Sequence, residues 1–387
     1  MTKSIIHYNI DNIDALGANI NIIWGERSNG KSWQVKHKKG ILKYLHNSTN
    51  YYDQYFDKGN IIKKSINEKS EFILMRRYTE DITPMLIEQY FDDVDIYGLT
   101  EGVYDSITVY RKQIFLGNYN DDKRKIEKKV RIGFVVALSS EQRYAGASFL
   151  NVHDIIFEEF MSRGLYLHNE PAKLMNFYST IDRKRGTTKL WLVGNSITRV
   201  CPYLVDWGLM DLIRSMKNGD IKSTWLPTGE LDENKIPIEV KIALEWCKQT
   251  GNSSYIIGSH KDMLNKGDWQ TDTQPHLKKS YNNYKILYRI MFVYKTFKFI
   301  GEYLLDSETH NTCWFIKEYK GEIKNNILVF SDVIRESKYF QRDIYNPLIK
   351  NEKLKHLLST FRENNIFYAD DLTGTDFKQA IDFEIRR

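Results

Sequence analysis

Asn21-Ile22-Ile23-Trp24-Gly25-Glu26-Arg27-Ser28-Asn29-Gly30-Lys31-Ser32 is the stretch whose reading decides the fold of this chain. Gly25, Gly30, Lys31 and Ser32 fill every fixed position of the phosphate-loop pattern G-x-x-x-x-G-K-[ST]. The apolar run Ile20, Ile22, Ile23 and Trp24 predicts a buried strand before the loop, and Ser32 to Tyr44 predicts a helix after it. A strand that turns tightly into a helix aims successive backbone N–H groups, and the positive end of the helix dipole, into one concavity. A polyphosphate fits there. Gly25 and Gly30 let the backbone turn and approach, while Glu26, Arg27, Ser28 and Asn29 carry the amides between them. Lys31 reaches the β- and γ-phosphates and counts as catalytic, and Ser32 is a ligand for Mg2+. The expected ligand is a nucleoside triphosphate, ATP.

Around this loop the composition is that of a globular chain. At 387 residues the usual domain size suggests roughly two or three domains. Apolar residues make up 42% and charged residues 27%, which excludes a disordered chain. No apolar run approaches the roughly 20 residues needed to cross a bilayer, so no membrane partner is expected. Met1-Thr2-Lys3-Ser4-Ile5-Ile6-His7 has no apolar core of the kind export signals carry, so export is not expected either. Cys201, Cys247 and Cys313 are far apart, without a C-x-x-C pair, and read as free thiols in a reducing compartment. The net charge of +6 permits a polyanionic partner without requiring one.

Taken in order, residues 36 to 64 carry Lys36, Lys38, Lys39, Lys43, Lys58, Lys63 and Lys64 among tyrosines, a solvated surface or part of a nucleic-acid-facing rim. Glu71 to Tyr78 predicts a core strand ending in Arg76 and Arg77, either of which can pair with a phosphate or a carboxylate. Thr108–Leu116 and Arg131–Leu138 predict two further strands. Between them lie Lys123, Arg124, Lys125, Lys128, Lys129 and Arg131, an exposed loop on one reading and a contact to DNA phosphates on the other.

Asn151 to Phe160 is the second chemical motif: an apolar strand ending in Glu158 and Glu159. A phosphate-loop hydrolase sets such carboxylates opposite its loop, one to hold Mg2+ and the next to polarise the attacking water. Glu158 takes the metal position and Glu159 the base position, with Glu141 the next candidate base. The usual metal residue is Asp, so Glu158 departs by one methylene. A helix is expected over Glu170–Ile181, then Asp182-Arg183-Lys184-Arg185-Gly186, then a buried strand Lys189–Ser196. Asn195 at its tip suits a polar group that contacts the nucleotide and reports loss of the γ-phosphate. Leu226–Pro237 concentrates turn formers and reads as a boundary; Ile238–Thr250 predicts a helix stopped by Gly251. Beyond it, Tyr284–Tyr294, Phe297–Leu305, Thr312–Tyr319 and Ile327–Phe330 predict strands, and Pro347–Arg362 a helix.

With both motifs in place, the chain resembles the DNA-packaging ATPases of small tailed bacteriophages with protein-primed genomes. The resemblance runs from the N-terminus to about residue 210. It rests on Trp24–Ser32, Met75-Arg76-Arg77-Tyr78, Ile155–Phe160, Asn169-Glu170, Asp182–Arg185, Gly194-Asn195-Ser196 and Pro202-Tyr203. It implies an α/β fold: a P-loop additional-strand (ASCE) ATPase domain over residues 1–233, a short helical linker over 234–258, and a C-terminal RNase-H-like α/β domain over 259–387. It also implies a homo-oligomeric ring, expected to be a pentamer, at the portal vertex of an empty capsid, driving double-stranded DNA inward. The ring belongs in the host cytoplasm, transiently on the procapsid, with a structural RNA as a candidate further partner. By position Arg183 matches the family's trans-acting arginine finger, and Arg143 is the rival that would act within its own subunit. The segment Lys123–Arg131 looks like an insertion relative to the family.

A working two-metal nuclease needs several carboxylates converging on one site, beginning on the first central strand. Tyr284–Tyr294 contains none, and Asp306, Glu308, Asp332 and Glu336 fall at strand ends or beyond, so a vestigial nuclease fold is expected. The alternative to a packaging motor is another nucleic-acid-stimulated P-loop ATPase, of helicase or partition type. A third reading is a nucleotide-gated docking module in which Glu158 cripples hydrolysis.

Overall fold

The computed structural model describes residues 8–45, 70–162, 166–250, 269, 272–294, 296–323, 327–331, 339–341, 352–363 and 365–385. The chain divides into two compact units. One is built on the chain up to Ile197 and the segment resuming at Ser215; the other is built on Thr198–Arg214 and the chain from Trp269 onward.

The first unit is organised on β1 (Ile20–Gly25), every residue of which is buried. Continuous apolar runs of this kind suit parallel strands covered on both faces. β2 (Glu71–Arg76), β6 (Val152–Glu158) and β7 (Lys189–Asn195) likewise have buried apolar centres, with polar residues toward their ends. With β3 (Ser106–Tyr110), β4 (Gln113–Asn120), β5 (Lys125–Ala137), β8 (Ile221–Leu231) and β9 (Pro237–Trp246) they form one sheet. Its order is β3-β4-β5-β2-β6-β7-β1-β9-β8. The run from β5 to β9 is parallel, and the β3–β4, β4–β5 and β8–β9 pairings are antiparallel. β7 therefore lies between the strand that feeds the phosphate loop and the strand that ends in Glu158. Register brings Gly25 level with Asn195, and Glu158 level with Val193, so the chemical residues share one edge of the parallel strands. Helix α1 (Lys31–Val35, continued by the π-helical segment Lys36–Leu42) follows the loop. Helix α2 (Pro84–Phe91) follows β2, starting at the Thr83 cap, and α3 (Glu170–Asp182) precedes β7.

Three expectations need correction. Thr108–Leu116 is not one strand but the hairpin β3–β4, turned at Arg111 and Lys112, both left-handed at φ 48° and 60°. The basic segment is not a loop: β4 and β5 pair from Asn120↔Lys125 onward, and only residues 121–124 form a turn. Its strand period is hidden by the density of lysine and broken by a bulge, where the register passes from Gly117↔Lys128 to Leu116↔Val130. The helix expected over Ile238–Thr250, and with it the helical linker, is overturned by β9, which pairs in parallel with β1 from Ile20↔Ile242 to Trp24↔Trp246. The β-branched residues Ile238, Val240 and Ile242 alternate with Glu239, Lys241 and Ala243, which is a strand's period. The boundary expected between residues 233 and 234 falls in the turn of the β8–β9 hairpin. Gly251 and residues 252–258 lie outside the described residues, as do Lys58, Lys63 and Lys64.

The second unit has its own sheet, built from β10 (Tyr284–Tyr294), β11 (Phe297–Asp306), β12 (Thr312–Glu318), β13 (Leu328–Ser331), β14 (Phe340–Gln341) and β15 (Ile366–Tyr368). Its order is β14-β13-β10-β11-β12-β15, with β10 antiparallel to β11 and parallel to β13. Helices α4 (Glu352–Arg362) and α5 (Asp371–Ile385) bring Phe361 and Phe377 onto Phe292, at ring-centroid distances of 5.5 and 4.9 Å. Asp332 and Glu336 lie outside the described residues. Among those residues no three acidic, His or Cys side chains form a metal-binding group, and no helix is long and apolar enough to cross a membrane.

Beside β1, β9 buries an acid. Glu245 stands opposite Ile23 and accepts a hydrogen bond from the Tyr8 hydroxyl at 2.7 Å. Burial pushes its carboxyl up to about 7 despite that bond. The native state therefore holds a proton that the unfolded chain releases near its ordinary value of 4.5. Stability contributed by protonated Glu245 is full below that value and is lost as pH rises through about 7. Glu245→Gln should match the parent near pH 4.5 and exceed it by up to about 3 kcal/mol above pH 7. Thermal unfolding at several pH values reads this, and a difference independent of pH would contradict it.

Candidate nucleotide site

Between β1 and α1 the loop turns through Ser28 at φ 63° and Gly30 at φ 91°. Gly25 is required for packing rather than for its dihedrals, since a Cβ there would meet the Cβ of Cys247 at 2.9 Å. Lys31 is buried, and its Nζ donates to the Glu26 carbonyl at 2.6 Å, Asn29 Oδ1 at 3.1 Å and Asn195 Oδ1 at 3.3 Å. All three acceptors are uncharged. Burial lowers the Lys31 ammonium from its ordinary value, and Glu158 and Glu26 act against that. An ammonium held out of water by neutral oxygens is ready for an anion. Asn29 adds a buried Nδ2 with no partner among the described residues. The cleft in front of the loop measures about 630 Å³ and is lined by Arg27 to Gln34, Asp93 and Asn195. That setting fits a triphosphate.

The carboxylates behave differently although adjacent. Glu158 is buried; its Oε2 accepts from Ser32 Oγ at 3.0 Å and its Oε1 from the Tyr90 hydroxyl at 2.7 Å. Burial raises its carboxyl, opposed by the Tyr90 bond, Arg76 and the Ser32 bond. Tyr90, raised well above its own ordinary value by burial and then by Glu158, stays protonated and donates. The Ser32 hydroxyl and the Glu158 carboxylate form a pair of hard oxygen donors suited to Mg2+. Glu159 instead takes a left-handed turn at φ 58°, leaving the line of the strand. Its side chain is 73% exposed and faces Arg76 Nη1 at 3.3 Å. Glu141, the alternative base, is buried and bonded by Lys173 at 3.3 Å.

The arginines that end and follow β2, Arg76 and Arg77, both pair with carboxylates. Arg77 donates through Nε to both oxygens of buried Glu170, at 3.0 and 2.9 Å. It also donates to the Glu159 carbonyl at 3.2 Å and the Phe160 carbonyl at 2.6 Å. It thus ties the turn carrying Glu159 to the start of α3. Sequence reasoning allowed a carboxylate partner for Arg77 but missed this clamp, and it missed Tyr90. The Thr83-Pro84 cap marks where α2 starts, but nothing local points its tyrosine at Glu158.

Arg183 caps α3 in a left-handed conformation at φ 48°. Its exposed guanidinium bonds carbonyl oxygens among the described residues, Thr180 at 3.3 Å and Ala147 at 2.8 Å. Lys184 pairs with Glu230, while Arg185 binds the Asp182, Leu150, Val152 and Ile181 carbonyls. Arg143 is exposed on the 3-10 segment Leu138–Tyr144. The basic residues expected to touch DNA are not brought to this site; they lie on the β4–β5 hairpin. There Lys123 pairs with Glu127, Lys128 sits 3.3 Å from the centroid of the Tyr110 ring, and Arg131 bonds Glu71. Arg124 and Lys125 are exposed.

A phosphate loop after β1, an acid ending β6 and a third strand between them define a P-loop fold of the additional-strand class. A family model of the podovirus DNA encapsidation protein (Gp16) matches residues 34–372. The chain belongs to this family. It is similar to the DNA packaging protein of Bacillus phage phi29, 25% identical over 173 residues, or 44% of this chain and 47% of that protein. It is also similar to the DNA packaging protein of Bacillus phage B103, 26% identical over 181 residues, or 46% and 51% of the two chains. The chain thus spans about half the length of the relatives it matches. In fold it is similar to a chain from the bacteriophage phi29 viral genome packaging motor assembly. That likeness has a TM-score of 0.52 at 17% identity and covers 97% of this chain and 99% of the other.

Removing the Arg77 guanidinium would take from the buried Glu170 carboxylate the cation that meets both of its oxygens. Arg77→Ala should destabilise the protein by about 3–5 kcal/mol, read by chemical denaturation, and adding Glu170→Met should recover part of that. A loss below about 1 kcal/mol would show that the clamp does not hold the turn.

Proposed function

We propose that the chain is an ATP-driven motor that hydrolyses ATP with Mg2+ and moves double-stranded viral DNA into a preformed capsid. The observation that carries this reading is the convergence of Lys31, Ser32, Glu158 and Asn195 across β1, β6 and β7, in a chain of the encapsidation family. The loop amides and Lys31 bind the phosphates. Ser32 and Glu158 would hold Mg2+, which when bound neutralises charge on the β- and γ-oxygens. Glu159 takes the proton from the water that attacks the γ-phosphorus, as the bond to the β–γ bridging oxygen breaks. Asn195, bonded to Lys31, is placed to report loss of the γ-phosphate.

Arg183 supplies its charge to a neighbouring subunit's γ-phosphate in a homo-oligomeric ring, a pentamer on the portal vertex. A guanidinium used this way contributes on the order of 10³–10⁵ in rate. What supports the assignment is its left-handed perch, where it bonds neutral carbonyls and keeps its charge available; Arg143 is likewise exposed. A structural RNA is a further candidate partner. The second unit is an RNase-H-like domain without nuclease activity. Supporting that are its strand order and a central strand β10 that carries Arg289, bonded to Glu302, and no acid.

DNA entry into purified empty capsids on addition of ATP tests the motor, and duplex unwinding without entry would favour a helicase. Glu159→Gln should bind ATP normally and lose hydrolysis, because an amide is nearly isosteric but a poor base. Normal turnover in that variant would place the base elsewhere. Rings mixed from Arg183→Ala and Lys31→Ala subunits should regain activity that neither parent has, since some interfaces combine an intact loop with an intact finger. Dead mixtures with confirmed assembly would assign the finger to another residue.

We also assign the hairpin residues Lys123, Arg124, Lys125, Lys128 and Lys129 to the DNA backbone. Neutralising them together should flatten the salt dependence of DNA binding by about 0.9 for each phosphate that is no longer neutralised, with unstimulated ATPase unchanged. An unaltered slope would return the hairpin to a purely solvated role.

A further inference from the structure

Glu158 occupies a position where Asp is usual, so its carboxylate is carried about 1.5 Å further from the backbone and has one more rotatable bond. Both of its oxygens are nevertheless engaged: Oε2 by Ser32 Oγ at 3.0 Å and Oε1 by the Tyr90 hydroxyl at 2.7 Å. Tyr90 is itself held. Lys36 of α1 donates to its carbonyl, lies 4.4 Å from the centroid of its ring and pairs with Asp93. Trp33 Nε1 donates to the Asp93 carbonyl at 3.2 Å, binding the end of α2 to the helix that follows the phosphate loop. Buried Phe91 meets the Tyr90 ring edge-on at 5.0 Å. The Arg76 guanidinium lies 6.0 Å from the same ring.

We infer that Tyr90 is the positioning residue that lets a glutamate serve at the metal position of this site. Its hydroxyl fixes one carboxylate oxygen, so that the other is presented beside Ser32. A glutamate without that anchor would swing about its extra bond, and an aspartate would be too short to reach the phenol. The longer acid and the tyrosine therefore form one unit. This rests on the reading of Ser32 and Glu158 as the Mg2+ donors.

Binding of a fluorescent ATP analogue, measured in EDTA and across a Mg2+ titration, separates the two. The parent should bind more tightly with Mg2+, and Lys31→Ala should weaken binding in both conditions; if neither holds, the reading of the site itself fails. Given that response, Tyr90→Phe should raise the Mg2+ needed for half-effect by about 10- to 100-fold and leave affinity in EDTA unchanged. Tyr90→Phe with the parent's Mg2+ response would overturn the inference. So would equal losses with and without Mg2+, which mark a merely structural role. Glu158→Asp, made with Tyr90 in place, should lose Mg2+ response by a similar factor, and adding Tyr90→Phe to it should cost nothing more. An aspartate that works as well as the glutamate, or losses that simply add, would overturn the inference even if Tyr90→Phe alone does not fold.

Discussion

A carboxylate taken out of water has to be met by donors, and most of the first unit is arranged so that Glu158 is. One donor, Ser32, comes from the helix after the phosphate loop, and the other, Tyr90, from the helix after β2. Neither element neighbours β6 in the chain. Ser32 meets it across β7, which sets β1 and β6 about 10 Å apart, two strand spacings, and Tyr90 meets it from the side of β2, which pairs with β6 directly. An acid with a long side chain can work across that gap when both of its oxygens are held.

The cations of the first unit follow one pattern. Lys31 and Arg183 bond neutral oxygens among the described residues, so neither charge is cancelled locally. Arg77 and Arg131 have buried carboxylate partners and so serve the fold. Arg76 lies between these cases, facing an acid that is mostly exposed. The distinction separates cations that meet only neutral oxygens from cations paired with carboxylates, and residue type alone does not reveal it.

The flanks of the sheet show how local readings mislead. The density of lysine between Asn120 and Arg131 suggests a solvated loop, yet pairing with β4 takes up most of the segment. The turn formers near residue 230 suggest a domain boundary, but they form the tip of a hairpin whose second strand covers β1. In each case a backbone that needs partners outweighed a composition that suggests exposure.

By itself, the sequence determined the phosphate loop, the strands β1, β2, β6 and β7, helix α3 and the strands β10 to β12. These are short-range signals, either fixed spacings of Gly, Lys and Ser or apolar runs too long to be exposed. It also singled out Lys31, Ser32, Glu158, Glu159 and Asn195 by their local spacing to strand ends, and the fold joins Lys31 to Asn195 and Ser32 to Glu158. Tertiary structure decided the rest. Ile238–Trp246 carries apolar residues at both two- and four-residue spacing, and only the open edge of β1 makes it a strand. Tyr90 has no local mark, since its role depends on Lys36 and Trp33 fastening the end of α2 to α1. The left-handed backbone that turns Glu159 away from Glu158 depends in the same way on Arg77, anchored by an acid 93 residues further along the chain. Contacts between distant segments leave no pattern in either segment read alone, and for that reason only the folded chain reveals them.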